Sequence, residues 1–228
     1  VKYSGEKSMQ RREFSISAVT TTASAVVASL GFSGAALAQA KAPQEGTDYL
    51  TLDKAAPTEA PAGKIEVVEF FWYSCPHCND FEPRLESWIK KIPKDVAIRR
   101  VPVSFRPDFE PQQRLYYVLE SMGKVDEMQM KVFNAIHLER QSLTNGDQIT
   151  AWVEKQGINR AKFVDAYNSF PIVTKVRKAT QLQEQYKVQG VPALGVAGRF
   201  YTDGSQAGTM ERALGVTDYL VGMVRKSK

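Results

Sequence analysis

Apolar and polar positions set out the chain before any motif is considered. Lys64 to Tyr73 is an almost unbroken β-branched and aromatic run, as in a strand buried on both faces. It is followed by a helical pattern from Cys75 to about Lys91, with Pro83 predicting a kink. Pro93-Lys94-Asp95 turns the chain, and Val96 to Val103 is a second apolar strand. Strand, helix and strand make a βαβ unit with a parallel pair. Ahead of it, Tyr49 to Leu52 reads as a short edge strand. Ala55 to Gly63, with Pro57 and Pro61, reads as a loop.

From about Phe105 the period is helical throughout. Leu115, Val118, Leu119 and Met122 share a face, and Val125, Met128, Val132 and Ile136 form another stripe. Thr144 or Asp147 is placed to cap a helix carrying Ile149, Trp152 and Val153. Asn159 is placed to cap one carrying Phe163, Val164 and Tyr167. Pro171 opens a longer helix with Ile172, Val176, Ala179, Leu182 and Tyr186. Strands return at Ala193–Ala197 and Phe200–Thr202, and a last helix carries Tyr219, Leu220, Met223 and Val224. The pattern is that of an α/β domain interrupted by an all-helical insertion. The helical stripes are core faces rather than cofactor contacts.

The N-terminal stretch reads as an export signal over residues 1–38. Val1 to Ser8 is an upstream remnant, and Met9 is the expected start. Arg11-Arg12 forms a cationic head, Ile16 to Leu37 is apolar and uncharged, and Ala36-Leu37-Ala38 is a small-residue cleavage site. Ala38-Gln39-Ala40 is a second choice for cleavage. The twin arginine suits either the twin-arginine or the Sec route. The small polar residues in the apolar stretch favour a cleaved signal over a retained anchor. Removing the four cations and two anions before Gln39 leaves a net charge of about +3, too mild to imply a nucleic-acid partner. Export places the mature chain outside the cytosol, in an oxidising compartment.

Chemistry converges on Cys75-Pro76-His77-Cys78, which holds the only two cysteines. Pro76 suits the first turn of a helix. Cys75 then sits at a helix N-terminus, among unpaired N–H groups and the positive end of the dipole. That stabilises a thiolate and lowers its pKa, a known effect in C-x-x-C proteins. Each unit is worth about 1.4 kcal/mol in favour of the reduced form, which makes the disulfide a stronger oxidant. His77 can add charge or a hydrogen bond toward the sulfur. A purely structural bridge over so short a loop contributes little. A zinc site wants four ligands, and only His77 and His137 remain to supply nitrogen. Haem attachment needs a histidine where Asn79 stands. A redox-active dithiol is left, with no metal and no separate cofactor.

Two further positions merit attention. Glu69 lies inside the apolar strand: buried, its pKa should rise and suit proton exchange with Cys78; at the strand's end it could equally face solvent. Arg99 or Arg100 is its candidate partner from the neighbouring strand, and His137 is expected on a helix surface. Val191-Pro192 precedes the later strand, where an ordinary trans proline is the default from sequence alone.

These residues carry a family resemblance. Glu69-Phe70-Phe71 through Cys75-Pro76-His77-Cys78, the later Gly190-Val191-Pro192-Ala193 and the helical segment between them resemble the DsbA family of bacterial thiol:disulfide interchange proteins. The resemblance covers nearly the whole mature chain. It implies a thioredoxin fold at residues 39–105 and 173–228, with an inserted helical domain at 106–172. It implies a cis Pro192, with the Val191 backbone free to pair with an extended peptide. It implies that Cys75 is the exposed, attacked cysteine, Cys78 the buried one and Glu69 the buried acid. The implied activity is oxidation of cysteines in secreted proteins, with reoxidation by the membrane protein DsbB, which passes electrons to quinone. Arg100 departs from the lysine found near that acid in a family member. A disulfide isomerase or reductase of the same fold, and a non-catalytic peptide-binding chaperone, are the alternatives. Isomerases of this superfamily usually carry a dimerisation domain, for which residues 39–63 are too short, so a monomer is expected.

Overall fold

In the computed structural model, residues 41–227 are described; the export signal expected over residues 1–38 lies outside them. The centre is β2 (Ile65–Phe71), all seven residues of which are buried. It runs parallel to β3 (Val96–Pro102) on one side and antiparallel to β4 (Ala193–Val196) on the other. β5 (Phe200–Asp203) continues the sheet, and β1 (Leu50–Thr51) closes it, in the order β1-β5-β4-β2-β3. The expected edge strand, loop and βαβ unit are all present. Because β4 is antiparallel to β2, the start of β4 lies at the end of β2, with Phe70 opposite Ala193.

Helix α1 (Pro76–Ile89) links β2 to β3 and contains Pro83. Its inward residues, Cys78, Phe81, Glu82 and Leu85, recur at three- and four-residue spacing. Between β3 and β4 the chain is helical. A 3₁₀ turn at Pro107–Phe109 precedes α2 (Glu110–Ser121), α3 (Val125–His137), α4 (Gly146–Lys155), α5 (Arg160–Tyr167) and α6 (Phe170–Gln185). Leu115, Val118, Leu119, Met128 and Val132 are buried, while Met122, Val125 and Ile136 are half-buried. After β5 come a one-turn helix α7 (Gly204–Ala207), which the sequence pattern did not predict, and α8 (Met210–Lys226). Trp88 donates to Asp218 at 2.9 Å, tying α1 to α8. Among the described residues, no helix is long and apolar enough to cross a membrane.

Local chemistry corrects some boundaries. Helix α4 is capped by Asn145, not Thr144 or Asp147: the Asn145 side chain accepts from the Gln148 N–H at 3.0 Å, and Thr144 bonds the Gln148 side chain instead. Asn159 caps α5 as expected, accepting from the Lys162 N–H at 2.9 Å. Helix α6 starts at Phe170, one residue before Pro171, so the proline fills the first turn. Gly195 lies so close to Tyr186 that a Cβ there would stand 2.3 Å from the ring.

Candidate active site

The strand β2 ends at Phe71, and Cys75 becomes the N-cap of α1 with Pro76 in its first turn. No side chain caps this end, which leaves the α1 amides to the sulfur. Cys75 and Cys78 are unbonded to each other, so the site is in its dithiol form. Cys75, expected to be exposed, is buried at 8% exposure because the Val191–Pro192 loop stands against it, and Cys78 is at 0%. The thiol of Cys78 donates toward Cys75 and is the largest influence lowering the Cys75 pKa to about 6. Burial opposes this. The backbone N–H groups of Cys78 and His77 and the His77 charge, in that order, add to the lowering. Burial pushes Cys78 well above the usual thiol range, and the Cys75 and Glu69 charges reinforce it. One dithiol thus holds two sulfurs of opposite acidity.

Pro76 and His77 are exposed at the start of α1. The Val191–Pro192 bond is cis, as the family resemblance implies and the default from sequence does not. Val191 O lies 3.4 Å from Cys75 Sγ and accepts from the protonated thiol, a weak donor. Val191 is half-buried and precedes the β4 ladder. A cavity of about 480 Å³ opens beside this pair, lined by His77, Arg84, Val191, Pro192, Asp203 and Met210 among others.

Glu69 is fully buried, not solvent-facing. Its partner is Arg100, 3.2 Å away and beside it in the parallel register, whereas Arg99 reaches the more exposed Glu59 at 3.1 Å. Arg100 also binds Glu82 at 2.7 Å and Glu86. Burial pushes the Glu69 pKa up to about 8; Arg100 opposes the rise, and the Glu82 and Glu86 charges add to it. Neither Glu69 oxygen has a hydrogen-bond partner among the described residues. Glu82 was missed in the sequence. The available signal was a carboxylate at a stripe position of an inward helix face.

His137 is not a surface residue as expected. It is half-buried, and its Nε2 lies 2.8 Å from the Tyr73 carbonyl oxygen. A carbonyl only accepts, so the ring donates from Nε2.

Residues 66–215 match the family model described as a DSBA-like thioredoxin domain. The thiol:disulfide interchange protein DsbA of Burkholderia cepacia is 38% identical over 206 residues, covering 90% of this chain and 97% of that one. DsbA of Bordetella pertussis is 41% identical over 184 residues, 80% of this chain and 87% of its own. The chain belongs to the DsbA family. The crystal structure of Pseudomonas aeruginosa DsbA is similar with a TM-score of 0.76 at 38% identity, covering 80% of this chain and 94% of that one. As a DsbA-family protein it is a thiol:disulfide oxidoreductase on a thioredoxin-like fold with inserted helices. The family's redox chemistry rests on a cysteine pair.

Proposed function

We propose that this chain is a periplasmic dithiol oxidase that donates a Cys75–Cys78 disulfide to newly exported proteins. The carrying observation is the opposed acidity of the two sulfurs: a Cys75 pKa of about 6 beside a buried Cys78 pushed well up. In the reaction, a substrate thiolate attacks Cys75 Sγ. A substrate–Cys75 disulfide forms, the Cys75–Cys78 bond breaks, and the electron pair leaves on Cys78. A buried thiolate is costly there, so Cys78 takes a proton. Glu69, protonated below about pH 8, is the proposed donor, and Arg100 receives the resulting carboxylate. A second substrate thiolate then attacks the first substrate sulfur and expels Cys75 as a stabilised thiolate. Two electrons pass from the substrate dithiol to the enzyme.

Val191 and cis-Pro192 are assigned to substrate binding: the Val191 backbone stands beside Cys75 and can pair with an extended peptide. Pro76 sets the helix start, and His77 contributes charge. The division into a thioredoxin-like part (39–105 and 173–228) and a helical insertion (106–172) belongs to this reading, although α6 spans the second boundary. A cleaved export signal, a monomeric state and reoxidation by a DsbB-type membrane quinone reductase complete it. The reduction potential against glutathione tests the proposal. A strongly oxidising value, lost in Cys75→Ser, is expected. A potential near thioredoxin's would overturn the oxidase assignment in favour of a reductase.

A further inference from the structure

The peptide unit between Tyr73 and Ser74 lies one residue before Cys75. It is gripped at both edges by side chains of the inserted helices. On one edge, His137 at the end of α3 donates to the Tyr73 carbonyl at 2.8 Å. On the other, the Ser74 N–H donates to Gln112 Oε1 of α2 at 3.2 Å. Gln112 is 3% exposed, and its amide nitrogen donates to Ser74 Oγ at 2.7 Å and to the Leu143 carbonyl at 3.0 Å. All the polar atoms of Gln112 are therefore committed, and its orientation is fixed. The Tyr73 side chain is held as well: its hydroxyl donates to Gln129 Oε1 of α3 at 2.7 Å.

A peptide unit is planar. Hydrogen bonds to its C=O and N–H from two different helices therefore fix its rotation about the chain axis. That rotation sets where the next residue, Cys75, begins. Ring packing anchors the Trp72 and Tyr73 side chains, but within the turn the backbone contributes only the Cys75 N–H to Trp72 O bond at 3.0 Å, and no side chain caps α1. The Cys75 thiolate depends on alignment with the amides of His77 and Cys78, and such hydrogen bonds weaken steeply as the angle opens.

We infer that Gln112 and His137 are positioning residues of the redox reaction. By pinning the Tyr73–Ser74 peptide plane, the inserted helices hold Cys75 where the α1 amides stabilise its thiolate. This rests on the proposal that Cys75 is the attacked cysteine. The inserted helices then tune the redox centre and do not merely cover it.

Three variants of the full chain test this: Gln112→Leu, which removes one grip; His137→Phe, which keeps a ring against Phe133 and removes the donor; and His137→Gln, which restores an N–H donor. Thiolate absorbance against pH, the equilibrium with glutathione and thermal melts of both redox forms are measured together. Expected are a rise in the Cys75 pKa and about a threefold or larger loss of oxidising equilibrium in the first two, matching half a pKa unit. His137→Gln should return toward the parent value. Lower melts in both redox forms by equal amounts, with Cys75 titration and the glutathione equilibrium unchanged, would overturn the inference. If Gln112→Leu does not fold, the half-exposed His137 pair decides alone. Failure of the underlying proposal looks different: the low-pH titration of the parent would persist in Cys75→Ser.

Discussion

Arg100 stands 3.2 Å from Glu69, with the two side chains 7% and 0% exposed. Little of the pair meets water, and the same guanidinium serves Glu82, also 0% exposed. Charges in such a place are costly to separate. Replacing Arg100 by Met would leave the buried Glu82 without its cation and remove the charge that opposes the rise in the Glu69 pKa. The expected loss is about 3–5 kcal/mol at pH 7, read from chemical denaturation. Arg99→Met, which breaks only the half-exposed contact with Glu59, should cost no more than about 1 kcal/mol.

Glu69→Gln should act in the opposite direction. Burial raises the folded pKa of Glu69 from 4.5 to about 8. The folded protein therefore holds a proton that the unfolded chain releases, and stability falls as pH rises between those values. A neutral amide removes that fall. Stabilisation on the order of 4 kcal/mol at pH 8, absent near pH 4.5, is expected from melts across this range. If Glu69 hands its proton to Cys78, the variant should also reoxidise and reduce more slowly.

The dithiol form should lose stability as pH drops. The folded pKa of Cys75 lies near 6, against an ordinary 9.0. A depressed acid stabilises the fold fully above its unfolded pKa, and the gain is lost as pH falls through the folded one. Melting temperatures of the dithiol and disulfide forms should therefore converge between pH 9 and pH 6 and stay level below. His77→Ser should raise the Cys75 pKa by only a fraction of a unit. The Cys78 thiol and the two backbone amides outrank the exposed imidazole among the causes.

Gly195→Ala tests the sheet on its other face. The added Cβ would meet Tyr186 Cε1 at 2.3 Å. The ring cannot yield freely, because its hydroxyl accepts from the Gly198 N–H at 3.0 Å and its edge packs on Phe70. Overpacking of this kind costs about 1–3 kcal/mol, and circular dichroism melts would show it in both redox forms alike.

Much of this was legible in the sequence because it follows from local chemistry. The run through β2, the proline after Cys75 and the Asn159 cap each fix a short stretch without outside help. What escaped prediction depends on meetings across the fold. Sequence could not choose between Arg99 and Arg100, since strand alternation names a face only once the register is known. It assigned His137 to the surface, because a lone histidine at a helix end carries no sign of the carbonyl it will meet 64 residues away. Gln112 and Gln129 are buried polar residues in apolar stripes, and their partners likewise lie far off in the chain. Thr144, Asn145 and Asp147 are all competent caps, and only the folded backbone selects Asn145.

Cys75 and Val191 touch across 116 residues of chain. A ribosome therefore delivers both thiols long before the loop that faces them, with every inserted helix made in between. An incomplete chain has the cysteines without their opposite wall. With two cysteines in all, it has just one intramolecular bridge available, and that bridge is the native one. Under the proposed function, a protein that oxidises the cysteines of other chains has no intramolecular pairing choice of its own to make.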